Sequence, residues 1–290
     1  MGLDKCGSER TLRARWTIIG AAIAAAFCVG SASADPSLAR VPADATHLRY
    51  EAWWGGLYAA EFSLTLSGGG SEYEAAFSLG TRGLLDWLIG LDLEATSTGA
   101  AGDGLTPEAY RSRYRSNSRE GTTTIAFDPK TGEATVSRNV VFFEPREPET
   151  DDPERPQVPA DRRTGVLDPL SAFVEAIDRL RRHENPEAVE PFTVAIFDGK
   201  RRFDMSGEML GLMRHEVEGR TTDAYKLCLT TRPLAGFRER TRMLWDDTAF
   251  DVYVSADGRF MPIQIIARGW GPAINLVEEC AGPCVLTPRE

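Results

Sequence analysis

The sequence is poor in histidine, a side chain on which many hydrolytic and metal-dependent enzymes rely. It contains only three histidines among 290 residues, and His215-Glu216 does not begin an H-E-x-x-H zinc motif because the second histidine position is Gly219. Nucleophile-elbow, phosphate-loop and dinucleotide motifs are also lacking. The sequence therefore predicts a protein that is not an enzyme, with no catalytic residues, no metal and no cofactor.

Adjacent aspartates are the other candidates for acid–base chemistry, and they occur at two places. Asp151-Asp152 lies in a proline-rich segment, and Asp246-Asp247 follows a predicted strand that ends at Trp245. Aspartates in these contexts usually stabilise turns. Both pairs are therefore interpreted as turn residues.

Lysine is scarce as well, with only four among the 33 basic residues, and acidic residues outnumber basic ones to give a net charge of -10. Nucleic acids and anionic lipid headgroups would be repelled, so neither is expected as a partner. Arg111, Arg113 and Arg115 lie on one face of a predicted strand. They either balance nearby acidic residues or form a site for an anionic ligand.

Long apolar runs are rare, and the clearest one lies at the N-terminus. Basic residues precede the apolar stretch 18–29, and Ala32-Ser33-Ala34 resembles a cleavage site, so residues 1–34 are predicted to be a secretory signal peptide. The run is short for a membrane anchor. Cys28 raises the alternative of a lipoprotein, but Phe27 before it does not fit the lipid-attachment pattern. A periplasmic protein, not integral to the membrane after cleavage, is predicted.

Cys228, Cys280 and Cys284 remain after the predicted cleavage, and export favours a disulfide. A Cys228–Cys280 bond would close a loop of about 50 residues and stabilise the fold by roughly 4 kcal/mol, so it is the predicted pair. Cys280–Cys284 is the competing pair. A metal site is the third alternative.

Alternation of apolar and polar residues dominates the chain after His47, and glycine-rich turns separate the segments. Strands are predicted over 47–54, 57–66, 73–79, 91–97, 108–118, 121–127 and 134–143, and later over 192–197, 201–205, 212–218, 223–231, 240–245, 249–255, 260–267 and 273–278. The run 83–89, GLLDWLI, is interpreted as a short helical turn, with a buried strand as the alternative.

Residues 166–183 form the one strongly amphipathic helix that the sequence predicts. Asp168 and Pro169 suit its first positions, and Asn185-Pro186 ends it. Its predicted apolar stripe consists of Leu170, Phe173, Val174, Ile177 and Leu180. Its predicted solvent face consists of Glu175, Asp178, Arg179 and Arg182.

The proline-rich segment 144–163 is predicted to be a solvated loop inside a single β-rich domain, residues 35–290. Two smaller domains are the alternative. Because about a dozen strands must curl to bury one face, the predicted fold is mainly β: a large antiparallel curled sheet, a half-barrel or barrel, with one principal helix packed on it.

Tryptophans and tyrosines are the candidate binding residues. Trp53 and Trp54 are adjacent, so their side chains face opposite sides of a strand and cannot both fill one core. Core packing explains most of the aromatic residues. Trp53, Trp54, Tyr58 and Trp87 are nevertheless predicted to line a groove, cavity or interface for a ligand.

An ordered set of short motifs also carries a family resemblance. It comprises Tyr50 with Gly55-Gly56, Thr81-Arg82-Gly83-Leu84 leading to Trp87, Pro107 with Tyr110, Phe127-Asp128, Asp168-Pro169-Leu170-Ser171, Phe197-Asp198-Gly199-Lys200-Arg201 and Pro262-Ile263. Over about 47–280 the chain resembles the exported bacterial family "domain of unknown function 3108" (DUF3108). The resemblance implies a secreted, mostly antiparallel β protein and supplies no activity or catalytic residues. The predicted architecture is more distantly similar to periplasmic lipoprotein carriers.

The leading hypothesis is a non-catalytic periplasmic binding protein for a lipid or other apolar envelope component, held on the concave face of the sheet. The alternative is an envelope scaffold that binds a protein or a cell-wall glycan through strand edges and aromatic residues.

Overall fold

The computed structural model describes residues 45–69, 71–102, 104–144, 157–183, 185–246, 248–268 and 272–286. Its strands form one sheet in the order β7-β6-β5-β4-β3-β2-β1-β13-β12-β11-β10-β9-β8. The strands are β1 (Thr46–Trp54), β2 (Leu57–Gly69), β3 (Glu72–Thr81), β4 (Asp92–Ala101), β5 (Leu105–Arg115), β6 (Arg119–Phe127), β7 (Ala134–Phe142), β8 (Phe192–Phe197), β9 (Arg202–Val217), β10 (Arg220–Ala235), β11 (Ala249–Ser255), β12 (Pro262–Ala267) and β13 (Ala273–Cys280). The helices are α1 (Gly83–Leu88), α2 (Pro169–Arg181) and α3 (Glu239–Asp246).

Antiparallel hairpins build most of the sheet, as the alternating pattern predicts. Gly55 and Gly56 both have positive φ, 58° and 82°, which allows the tight β1–β2 turn. The predicted hairpin of 192–197 with 201–205 is confirmed as the pairing of β8 with the start of β9. The mainly β fold is confirmed.

The two halves of the chain join within this sheet because β1 pairs with β2 on one side and with β13 on the other. The outermost strands, β7 and β8, come close together again. A Cβ at Gly199, in the β8–β9 turn, would lie 2.6 Å from Thr123 Cγ2 of β6 and 3.2 Å from Val136 Cγ2 of β7. Leu167 also pairs with Ile196 of β8. The sheet is therefore curled into a barrel-like shape.

Helix α2 lies between the two halves of the curled sheet and contacts β3, β4, β5 and β8. Leu170 and Ile177 belong to the core cluster of β1–β7, whereas Ala172, Ala176 and Leu180 belong to the cluster of β8–β12. The predicted packing of the helix on the sheet is confirmed. Because α2 is buried on two sides, it joins two cores.

A buried polar cluster fixes the start of α2. Asp168 caps the helix by accepting from the amides of Leu170 and Ser171, at 3.0 and 3.1 Å. Its other oxygen accepts from the Ser171 hydroxyl and, at 2.9 Å, from Ser97 of β4. Tyr73 of β3 is 2.6 Å from Ser171 Oγ. Burial raises the pKa of Asp168, against the effect of these hydrogen bonds, and raises that of Tyr73 to about 12.

Helix α2 also defines one end of the barrel. Glu175 accepts from the amide of Leu105, which follows the β4–β5 turn, at 3.3 Å. Arg181 donates to the carbonyl of Arg259, in the β11–β12 turn, at 3.0 Å. By strand direction both turns lie opposite the β1–β2 turn, so α2 lies towards the end of the barrel away from Gly55.

Three local predictions were wrong. Glu175 is buried rather than solvent-exposed, and its charge is compensated by Arg179 at 2.6 Å. Residues 240–245 lie in α3 rather than in a strand. The predicted strands 201–205 and 212–218 belong to one strand, β9, which continues through a bulge opposite Lys226 and Leu227.

The predicted Cys228–Cys280 disulfide was also wrong, because Cys280 is bonded to Cys284 with a Cα–Cα distance of 5.6 Å. Cys280 ends β13, and Cys228 lies in β10, with β11 and β12 between them. Three strand spacings of about 4.8 Å each exceed the reach of a disulfide, about 7 Å between Cα atoms.

The predicted signal peptide, residues 1–34, and most of the proline-rich loop lie outside the described residues. None of the helices in the described ranges combines the length and the apolar character that crossing a membrane requires.

Replacing Asp168 tests the anchoring of α2. We expect Asp168→Ala to lower the free energy of unfolding by about 3 kcal/mol, since the helix loses its cap and two buried serine hydroxyls lose an acceptor. Asp168→Asn is the matched control, because its amide oxygen still caps the helix. Equal losses in chemical denaturation of the two variants would contradict this role.

The pH dependence of stability follows from the raised pKa of Asp168. Below its ordinary pKa the carboxyl is protonated in both the folded and the unfolded state, so folding buries a neutral group. As pH rises through the window up to the raised pKa, the unfolded state ionises first and the folded state loses stability. The stability of the wild type relative to Asp168→Asn should therefore fall across that window in urea titrations. A stability difference between the two proteins that is constant, or that rises with pH, would contradict the raised pKa of Asp168.

Candidate functional site

Helix α1 has the composition of a core element but lies on the surface. Its sequence, GLLDWL, has four apolar residues, and none of its residues is buried. Leu84 and Leu88 are exposed, and the Trp87 side chain is 75% exposed. The predicted helical turn in this segment is confirmed. Such exposure leaves apolar surface for a partner.

The β1–β2 turn, beside α1, carries more apolar surface. Trp53 is 37% exposed, and its ring lies 5.3 Å from that of Tyr58 across the turn. Leu57 is exposed between them, and Trp54 is half-buried. The structure thus brings Trp53 and Tyr58 into contact and places Trp87 on the neighbouring helix. Whether these four aromatic residues bind a ligand stays a prediction.

Two further segments expose apolar side chains at the same end of the barrel. The end of β7 contributes Val141 and Phe143, and α3, between β10 and β11, contributes Met243 and Leu244. By strand direction, both segments lie at the end opposite α2. We call this surface the apolar end; its exposed members are Trp53, Leu57, Leu84, Trp87, Leu88, Val141, Phe143, Met243 and Leu244. The other exposed large apolar residues of the described ranges, Leu210, Leu212 and Val285, lie elsewhere.

Hydrogen bonds hold α1 in its exposed position. Asn117, in the β5–β6 turn, donates its side-chain amide to the carbonyl of Trp87 and its backbone amide to that of Ile89, at 3.1 and 2.9 Å. Thr81 donates to Asp86 at 2.9 Å. Helix α1 is therefore fixed to β3 and to the neighbouring turn, and its apolar side chains are displayed by a defined backbone.

A buried ion pair fixes the residue that precedes α1. Glu61 of β2 is fully buried and accepts from Arg82 at 3.1 Å and from Arg49 of β1 at 2.8 Å. The Arg82 amide also donates to the carbonyl of Ala59 at 2.9 Å. Burial and the nearby Glu61 carboxylate raise the pKa of Tyr58. These contacts link α1 to the β1–β2 hairpin, so the two largest parts of the apolar end are held together.

The remaining candidates for chemistry are engaged in the fold. His215 stacks on Tyr253 with ring centroids 3.5 Å apart, and its Nε2 is 2.7 Å from Gln264. Arg113 and Arg115 face Glu94 and Asp92 across β4, which favours charge balance over an anionic ligand site. Asp151-Asp152 and Asp247 lie outside the described residues. Within the described part of the chain, no group of three or more His, Cys, Asp or Glu residues could hold a metal ion.

Sequence reasoning missed most of the apolar end. The tryptophans and tyrosines of the sequence indicated Trp53, Trp54, Tyr58 and Trp87. They did not indicate the leucines of α1 or the exposed residues of β7 and α3. One signal was present: the run GLLDWL lacks the polar face of an amphipathic helix. The other segments converge only through the curl of the sheet.

Removing the Glu61 carboxylate tests the attachment of α1. We expect Glu61→Ala to lower the free energy of unfolding by about 3 kcal/mol, because two partly buried guanidinium groups lose their counter-charge. Amide hydrogen exchange in α1 should also accelerate. Glu51→Ala is the control, since Glu51 contacts only Arg49 among the described ion pairs, at 3.8 Å. Unchanged exchange in α1 in the Glu61 variant would show that the pair does not position this helix.

The chain matches a known family and a solved structure. The family model "Protein of unknown function (DUF3108)" matches residues 49–269. A crystal structure titled "Beta-barrel-like Protein of Domain of Unknown Function DUF1849 from Brucella abortus" is similar at 10% identity, with a TM-score of 0.46, over 81% of this chain and 95% of that chain. No curated protein matches the chain. Since the family model covers most of its length, this chain belongs to the DUF3108 family.

Proposed function

We propose that the protein is a non-catalytic periplasmic binding protein that takes a lipid or another apolar component of the cell envelope at its apolar end. The observation that carries this proposal is α1, an apolar helix with no buried residue that the fold holds outward. Burying a leucine or tryptophan side chain is worth about 2 kcal/mol. A partner that covers α1 would recover several times that amount.

The position of α2 favours the apolar end over the interior next to the helix as the binding surface. The sequence-based hypothesis placed the ligand on the concave face of the sheet, partly closed by the helix. In the fold, α2 packs into the cores of both halves, and Asp168, Ser97 and Ser171 are all fully buried beside it. The surface under α2 is therefore already used by the protein.

The predicted export supports the same proposal. The predicted signal peptide would direct the chain to the periplasm, and the Cys280–Cys284 disulfide is consistent with an oxidising compartment. The net charge of -10 disfavours an anionic ligand, so an apolar ligand without net charge fits the protein better.

The long β9–β10 hairpin favours a second candidate, an envelope scaffold that binds another protein. Strand β8 pairs with β9 only as far as Gly207, and Leu210 and Leu212 beyond it are exposed. Such a strand edge can pair with an extended segment of a partner. The amide of Leu212 already donates to Glu187, however, which blocks part of this edge.

Binding of a monomeric lipid tests the leading proposal. We expect mass spectrometry of organic extracts of the periplasmic protein to find a bound lipid. We also expect a fluorescent monoacylglycerol, which is uncharged, to bind below its micelle concentration at least about tenfold more weakly to the variant Leu84→Gln/Trp87→Gln/Leu88→Gln. The matched control is Leu210→Gln/Leu212→Gln, which removes exposed leucines elsewhere and should bind normally.

An empty extract together with no monoacylglycerol binding by the wild type would contradict a lipid-binding role. Loss of binding in the β9 control, with normal binding in the α1 variant, would place the ligand away from the apolar end. Pull-down of a periplasmic protein that depends on Leu210 and Leu212 would support the scaffold instead.

A further inference from the structure

We propose that the apolar end docks onto the surface of a lipid bilayer whose headgroups carry no net charge. This inference rests on the proposed lipid-binding function and names the surface that the protein meets. It follows from three properties of the apolar end: the spread of its segments around the barrel, their fixed backbone, and the charges beside them.

The spread of the segments points to a flat partner. In the sheet order, β5 and β6 separate the end of β7 from α1, while β11, β12 and β13 separate α3 from the β1–β2 turn. With neighbouring strands about 4.8 Å apart, these gaps are about 14 Å or more. A peptide or a single acyl chain in one groove would touch one or two segments. A bilayer surface can meet all four at once.

The residue types at this end suit the boundary between lipid headgroups and acyl chains. Leu57, Leu84 and Leu88 offer apolar side chains, and Trp87 is the most exposed of the tryptophans at this end. Tryptophan favours that boundary because its ring is apolar and its indole N–H can bond to headgroups or water. The fixed α1 backbone means that little ordering is needed on contact.

The charges next to the apolar end argue for neutral headgroups. Arg115 faces Asp92 across the sheet and stacks on Phe143 at 5.5 Å, and Arg119 stacks on Tyr114 at 5.7 Å. Both cations are already engaged with neighbouring aromatic rings, and Arg115 also has an acidic neighbour. The chain as a whole carries a net charge of -10. An anionic bilayer would repel it, so docking must depend on apolar contact.

Flotation with vesicles tests this inference. We expect the purified full-length mature protein to float with phosphatidylcholine vesicles, and added salt or added phosphatidylglycerol not to strengthen the binding. Trp87→Gln on α1 and the double variant Met243→Gln/Leu244→Gln on α3 should each weaken binding by about fivefold or more, because both segments contact the same plane. Leu212→Gln, on β9, is the control and should float like the wild type. All the replaced side chains are exposed, and thermal unfolding confirms that each variant folds.

The outcomes separate this inference from the proposed function. If the protein binds the monomeric monoacylglycerol but does not float, the bilayer inference is wrong and the lipid-binding function stands. If the α1 variant floats less than the wild type and the α3 variant floats normally, lipid contacts a single groove rather than a plane. The inference is then again overturned. Binding that requires phosphatidylglycerol and disappears at high salt would overturn the assignment of neutral headgroups. Failure of both assays removes the proposed function as well.

Discussion

A helix can enter a β-barrel only if the polar groups that enter with it find partners there. For α2 that condition is met by Asp168, which accepts hydrogen bonds from two backbone amides and two serine hydroxyls, one of them from β4. None of these four hydrogen bonds comes from a cation. The carboxyl of Asp168 is therefore stabilised in the interior by hydroxyl and amide donors. This cluster sets where α2 begins, and the two faces of the helix then fill the cores of both halves of the sheet.

With α2 fixed towards one end, the barrel acquires two chemically different ends. The end near α2 carries the charged residues Asp178, Arg181 and Arg182, whereas the opposite end carries exposed leucine, tryptophan and methionine side chains. The apolar end does not come from a single segment of the chain. At the apolar end the residues come from a turn, two short helices and the end of an edge strand, each held by its own hydrogen bonds or packing. For example, Trp245 of α3 is buried against Phe203, while Met243 and Leu244 of the same helix are exposed.

Local patterns predicted the elements of this fold well, and long-range consequences poorly. Period-two alternation identified most strands, and Asp168-Pro169 identified the start of α2, because both signals depend on neighbours in sequence. Glu175 was misplaced because an amphipathic pattern assumes one solvent face, whereas α2 has the sheet on two sides. The disulfide was wrong because loop-closure entropy favours a long loop but ignores that β11 and β12 separate the cysteines. The apolar end was found only in part, since only the topology of the sheet places Val141 and Met243 at the same end as α1.

The central claim is that four separated segments form one surface that meets lipid. Hydrogen–deuterium exchange of the wild-type protein, with and without phosphatidylcholine vesicles, measures protection by lipid at every segment in one experiment. The account predicts that vesicles slow exchange at the β1–β2 turn, α1, the end of β7 and α3 together, and leave α2 and the β9–β10 hairpin unchanged. Protection confined to the β9–β10 hairpin or to α2, or no protection anywhere, would contradict it.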